Sequence, residues 1–177
     1  MTDDRFNVLL YVGGSEHSFS AAVYAATLLK RLPNIHLTVV QVQESTEGLL
    51  GSDNYQWTDI WPLTPNAVWM KKILNEADHE TQKEYQDILD RTNEIFSQKG
   101  LNVKHEILAA HNNILDVAEA IIDYAAKNSF KLIIMGTRGL SDIKGLVFGS
   151  FAHTMLNRSP IPVLLIKKLP QEFIDNL

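Results

Sequence analysis

The sequence predicts an α/β fold: a doubly wound parallel sheet with helices on both faces. Two patterns carry that reading. Short apolar runs rich in Val, Ile and Leu alternate with amphipathic stretches of helical length along the 177 residues. The runs are apolar almost throughout, as strands covered on both faces are, and not alternating as half-exposed strands would be.

Phe6 to Val12 (FNVLLYV) is the first strand and reads as central. Gly13-Gly14-Ser15 turns the chain, and Ser15 or Ser18 caps the helix that follows. Phe19, Ala22, Val23, Ala26 and Leu29 recur at helical spacing until Pro33-Asn34, and alanines at 21, 22, 25 and 26 let this helix lie close on a sheet. His36 to Val42 is the second strand. Residues 44–65 form an irregular insert, polar and glycine-containing, with all three tryptophans (Trp57, Trp61, Trp69) in or just after it. Packing beneath the loop as a satellite core is the expected role of these rings, and a lid over a ligand is the sharper alternative.

Asn66 to Lys99 reads as one long helix or two joined ones, with Ile73, Leu74, Ile88, Leu89, Ile95 and Phe96 on its buried stripe and Lys99-Gly100 as its end. Asn102 to Ala109 alternates, placing Val103, Ile107 and Ala109 on one side, which suits an edge strand. Asn113 with Asp116 caps the helix Ile114 to Lys127. Lys131 to Met135 is the fourth strand, and a helix from Gly149-Ser150 leads to the fifth, Ile161 to Ile166. Leu169 to Leu177 is expected to trail off the domain.

The loop between Met135 and Phe151 suits phosphate chemistry. Glycines let a backbone approach an anion, and the first amides of a helix have no partner within it and carry the positive end of its dipole. Gly149, Ser150 and Phe151 thus offer N–H groups and one hydroxyl at a helix start. No G-x-x-x-x-G-K-(S/T) loop occurs, and no G-x-G-x-x-G follows a strand.

Gly136, two residues, Gly139, nine residues, then Gly149-Ser150 resembles the signature of nucleotide-binding members of the universal stress protein family, G-x2-G-x9-G-(S/T). Met135-Gly136-Thr137-Arg138-Gly139, the tail Ser159-Pro160-Ile161-Pro162-Val163-Leu164 and the opening VLLYVGGSEHSFSAAVYAATLL resemble that family as well, so the resemblance spans nearly the whole chain. It implies a Rossmann-like sheet of five parallel strands in the order 3-2-1-4-5, with the first and fourth strands at the switch point where such sheets bind ligands. The ligand it implies is ATP, with or without magnesium on the phosphates. Val12, Gly13, Val42, Met135 and Gly136 would then lie at the base and ribose, and Arg138, Gly139, Gly149, Ser150 and Phe151 around the phosphates. The function it implies is that of a cytoplasmic stress-response sensor or regulator with at most weak ATP hydrolysis. Gly13 departs from the family, which usually has an aspartate there.

The last strand, Ile161 to Ile166, would be an exposed apolar edge in a lone chain, and Pro160 and Pro162 block only part of its ladder. Pairing of two such edges about a two-fold axis predicts a homodimer, as the resemblance does.

Composition bounds the rest. Residues 1–177 are expected to form one domain, with 45% hydrophobic and 21% charged residues. No apolar run is long enough to span a membrane, and the polar, acidic start argues against a signal peptide. The absence of cysteine removes disulfides, thiolate metal sites and thiol catalysis, and a net charge of −5 argues against nucleic acid. The six histidines show no HExxH or paired spacing. Two other function classes compete with an ATP-binding regulator. One is a nucleotide-free interaction module of the same fold. The other is an enzyme, through a faint resemblance of Val12-Gly13-Gly14-Ser15-Glu16 to the SGGxDS loop of ATP pyrophosphatases, whose leading serine and aspartate are both missing.

Overall fold

The computed structural model describes residues 5–13, 15–44, 55–57, 79–97, 101, 103–111, 113–138 and 149–176. Its elements run β1 (Phe6–Tyr11), α1 (Glu16–Arg31), β2 (Ile35–Glu44), β3 (Tyr55–Trp57), α2 (His79–Ser97), β4 (Val103–Ala110), α3 (Ile114–Lys127), β5 (Leu132–Gly136), α4 (Ser150–Arg158), β6 (Val163–Ile166) and α5 (Gln171–Asp175). The strands form one sheet in the order β3-β4-β2-β1-β5-β6. β4, β2, β1, β5 and β6 are mutually parallel, which is the expected 3-2-1-4-5 order of the five strands read from the sequence.

Strand alternation divides the core in two. Val8, Leu10, Val12, Leu37, Val39 and Ile134 face α1 and α2, where Ala21, Ala22, Ala25 and Ala26 bring α1 close to the sheet and Leu89 and Phe96 close it over. Leu9, Tyr11, Val40, Val42, Leu108, Ile133 and Met135 face α3 and α4, against Val117, Ala118, Ile121, Ile122, Ala152 and Met155. Fully buried Leu or Ile side chains such as Leu9 and Ile133 each contribute roughly 1.5–3 kcal/mol, so these two layers dominate the stability. α2 is held on α1 by the Arg91 guanidinium, 4.0 Å from the Phe19 ring centroid and 3.5 Å from the Glu16 carboxylate.

The helix ends show why the chain turns where it does. Ser15 caps α1, its Oγ accepting from the Ser18 N–H at 3.1 Å. Asn113 caps α3 reciprocally: Oδ1 accepts from the Asp116 N–H at 2.8 Å and Nδ2 donates to the Asp116 carboxylate at 2.7 Å. α3 ends with Ser129 at φ 57°, and the N–H groups of Phe130 and Ser129 return to the carbonyls of Ala125 (3.0 Å) and Ala126 (3.4 Å). That is a Schellman closure made without glycine.

Four expectations need correcting. The insert is not wholly irregular: Tyr55–Trp57 pairs antiparallel with β4, Tyr55 opposite Leu108 and Trp57 opposite Glu106, so β4 is not the sheet's edge. The buried positions of β4 are also not the apolar side chosen from sequence, because His105, Glu106, Leu108 and Ala110 are the buried ones. The last residues do not trail off. The Leu169 N–H donates to Ser20 Oγ at 3.0 Å, α5 follows, and Ile174 packs on the Phe19, Val23 and Ile88 cluster. Trp61, Trp69, the stretch 66–78, and Lys99 with Gly100 lie outside the described residues.

Candidate functional site

β1 and β5 are neighbours, yet the helices after them pack on opposite faces of the sheet: α1 with the Val8 and Leu10 side, α4 with the Leu9 and Ile133 side. Chains leaving two adjacent strands in opposite directions open a crevice at the carboxyl edge, the switch point of a doubly wound sheet.

The two exits are tied to each other and to the helices. The Ser15 hydroxyl donates to the Arg138 carbonyl at 2.9 Å while its oxygen caps α1. The Gly13 N–H donates to Ser18 Oγ at 2.9 Å. On the other side the Gly149 N–H donates to the Thr137 carbonyl at 2.9 Å, and the Thr137 N–H to the Ile166 carbonyl at 2.9 Å. Gly149 is therefore the N-cap of α4, with extended backbone and no side-chain cap bond, and its amide is already engaged. This corrects the expectation that Gly149 offers its N–H to a ligand. The first bond within α4 runs from the His153 N–H to the Gly149 carbonyl, which leaves the amides of Ser150, Phe151 and Ala152 ahead of it at the positive end of the helix.

The other predicted site residues separate clearly. Val12 turns its side chain into the α1 layer, so only its backbone borders the crevice; its N–H donates to the Val40 carbonyl at 3.0 Å. Val42 and Met135 are buried on the α3/α4 face, 4% and 2% exposed. Val42 is the next β2 residue whose peptide groups point toward β1, and β1 has turned away by then. Gly136 lies under α1: a Cβ there would stand 2.7 Å from the His17 carbonyl carbon and 2.8 Å from the Ser18 nitrogen. Its lack of a side chain admits the first turn of α1. Arg138 is half-buried, with its backbone held by Ser15. Phe151 is half-buried at the start of α4. Gly139 lies outside the described residues. Among the described residues no group of His, Asp and Glu could hold a metal, and His153 is exposed with its ring 3.2 Å from Asn157 Nδ2.

Two residues that motif reading passed over stand in the same cross-strand row, Tyr11 opposite Val40 and Val40 opposite Glu106. Tyr11 is 8% exposed, and its ring meets Phe151 with centroids 5.1 Å apart and planes at 53°. Burial pushes the pKa of its phenol up. Glu106 is 3% exposed, with Oε2 lacking a hydrogen-bond partner. Burial raises its carboxyl pKa, against the Tyr124 hydrogen bond and the Lys104 charge, which lower it. The alternation of FNVLLYV was the available signal for Tyr11, since it sets Leu9 and Tyr11 on the face opposite Val8, Leu10 and Val12.

The model of the universal stress protein family matches residues 5–167. The chain belongs to that family. Universal stress protein YxiE of Bacillus subtilis is 31% identical over 160 residues, covering 90% of this chain and 97% of YxiE. The fold is shared with universal stress protein UspA from Lactobacillus plantarum (TM-score 0.56, 18% identity, 91% of this chain and 97% of that one). It is shared also with a universal stress protein crystallised in complex with cAMP (TM-score 0.51, 16% identity, 93% and 98%). Among the described residues no helix is long and apolar enough to cross a membrane.

Proposed function

We propose that the chain binds an adenine nucleotide, ATP in the first place, across the carboxyl edge of the sheet, and acts through it as a cytoplasmic stress-response sensor or regulator. What carries this is the divergence of the chains leaving β1 and β5 at the carboxyl edge, beside α4 amides that have no hydrogen-bond partner among the described residues. Phosphates lie against the N–H groups of Ser150, Phe151 and Ala152, with the Ser150 hydroxyl beside them. The base lies toward Val42, whose outward peptide groups read an adenine edge, with Met135 as apolar wall. The donor set fits a nucleotide without assistance from a metal, and magnesium would bind through phosphates and water. Support from relatives is the adenine nucleotide in the cAMP complex of a protein with this fold.

The amides and hydroxyl hold and orient an anion, and no described side chain in the crevice is placed as a general base. Binding and signalling, not turnover, is the activity these residues support. The regulator works as a homodimer joined by β6, the last strand in the sheet order, whose outer edge has no partner strand among the described residues. Mass spectrometry of the denatured purified protein, followed by calorimetric titration with ATP, ADP and cAMP, tests the ligand. Co-purified adenine nucleotide or saturable binding is expected; neither being found would leave a nucleotide-free interaction module. Light scattering at micromolar concentration is expected to give twice the chain mass, and a monomer would remove the dimer.

A further inference from the structure

We propose that Tyr11 is a specificity-determining residue of this site, its hydroxyl donating a hydrogen bond to a sugar or phosphate oxygen of the bound nucleotide. The proposal rests on the nucleotide-binding reading above and names a group that reading leaves unused. Tyr11 is the last residue of β1 and lies on the α3/α4 face, where the crevice opens. Phe151, in the first turn of α4, fixes the ring from one side at 5.1 Å.

The ring reaches past the strand end. The nearest atoms to a Cβ built on Gly13 are Tyr11 Cε1 and the phenol oxygen, both at 3.5 Å, and Cζ at 3.6 Å. The hydroxyl is thus beside the backbone of the exit and not in the middle of the apolar layer. Its neighbours are already satisfied: Val12 N–H on the Val40 carbonyl, Gly13 N–H on Ser18 Oγ, Gly149 N–H on the Thr137 carbonyl. No hydrogen bond to the Tyr11 hydroxyl is made among the described residues, and although the residue as a whole is buried, its oxygen is not one of the buried polar atoms left without a partner, so it is open to the crevice. An accessible hydroxyl is hydrogen-bonded by water when the crevice is empty and exchanges that bond for one to a ligand oxygen. Because burial disfavours the phenolate, the group stays a neutral donor across the physiological range, suited to an acceptor oxygen and not to a metal.

The test is calorimetric titration of ATP and adenosine into the parent and into Tyr11→Phe and Tyr11→Ala, with thermal midpoints recorded without ligand. Tyr11→Phe is expected to weaken ATP binding about tenfold, as loss of one hydrogen bond to a ligand oxygen does, with the ligand-free midpoint unchanged or raised. The same loss for adenosine assigns the acceptor to the ribose, and a loss confined to ATP assigns it to a phosphate. Three results overturn the proposal: Tyr11→Phe binding as the parent does, a lower ligand-free midpoint for Tyr11→Phe, or Tyr11→Ala binding more tightly than the parent. The second would show that the hydroxyl serves the fold, and the third that the ring fills space belonging to the base. A parent that binds no adenine nucleotide fails before any variant is made, and removes the functional reading together with this one.

Discussion

Gly13 and Gly136 occupy corresponding places, just past or at the ends of β1 and β5, and in sequence they look alike. Their surroundings are opposite. A Cβ on Gly136 would run into backbone of α1 at 2.7 and 2.8 Å, where no side chain can give way. The nearest atoms to a Cβ on Gly13 belong to the Tyr11 ring and its hydroxyl, at ordinary contact distance. The β5 exit is thus closed by helix packing, and the β1 exit has room for a side chain. A glycine at the carboxyl edge of the sheet is therefore not by itself a sign of ligand approach; at Gly136 the required close approach is that of the protein's own first helix.

The largest effect separating the two exits is expected from Gly136→Ala, which should destabilise by about 1–3 kcal/mol through overpacking against the first turn of α1. Denaturant unfolding measures it, and an unchanged midpoint would mean that α1 does not seat there. Ser15→Ala comes next. It removes both the α1 cap and the tie to the Arg138 carbonyl, and a loss of about 1–2 kcal/mol is expected. A loss of only a few tenths would show that the tie between the exits carries nothing.

Glu106→Gln probes the row that starts at Tyr11 from its far side. The carboxyl's folded pKa lies above its ordinary value of 4.5, so the folded chain holds this proton more tightly than the unfolded one. The stability this gives is complete below that value and is lost as pH rises through the raised one. Glu106→Gln should therefore flatten the stability profile from pH 4.5 upward and leave ATP affinity as it was. A parent profile without that decline would contradict the assignment. The smallest effect is expected at Gly13: Gly13→Ala should change stability by less than about 1 kcal/mol in either direction, since the backbone there is not left-handed and space is available. Failure of Gly13→Ala to fold would erase the contrast with Gly136.

Much of this architecture is legible without coordinates. The near-continuous apolar strands, the alanine face of α1 and the Asn113–Asp116 cap dictate local structure through periodicity and capping alone. What escaped has a common physical form: it depends on partners distant in sequence. Tyr55–Trp57 becomes a strand only because β4 offers it an edge, and α5 docks because Ser20 and the Phe19 cluster receive it. Gly149 looks like a phosphate donor in sequence, but its amide is committed to Thr137, a bond between segments whose spacing gives no clue to it. Tyr11 and Glu106 read as ordinary members of their strands until burial sets them apart.

Amide chemical shifts on titration with ATP test the central claim most directly, because each proposed contact is a backbone group. The account expects the N–H resonances of Ser150, Phe151 and Ala152, together with Val42, to move saturably with one midpoint, while amides at the opposite strand ends, such as Phe6 and Ile35, stay in place. Saturable binding that shifts residues away from the β1 and β5 exits and leaves the first turn of α4 unmoved would contradict it.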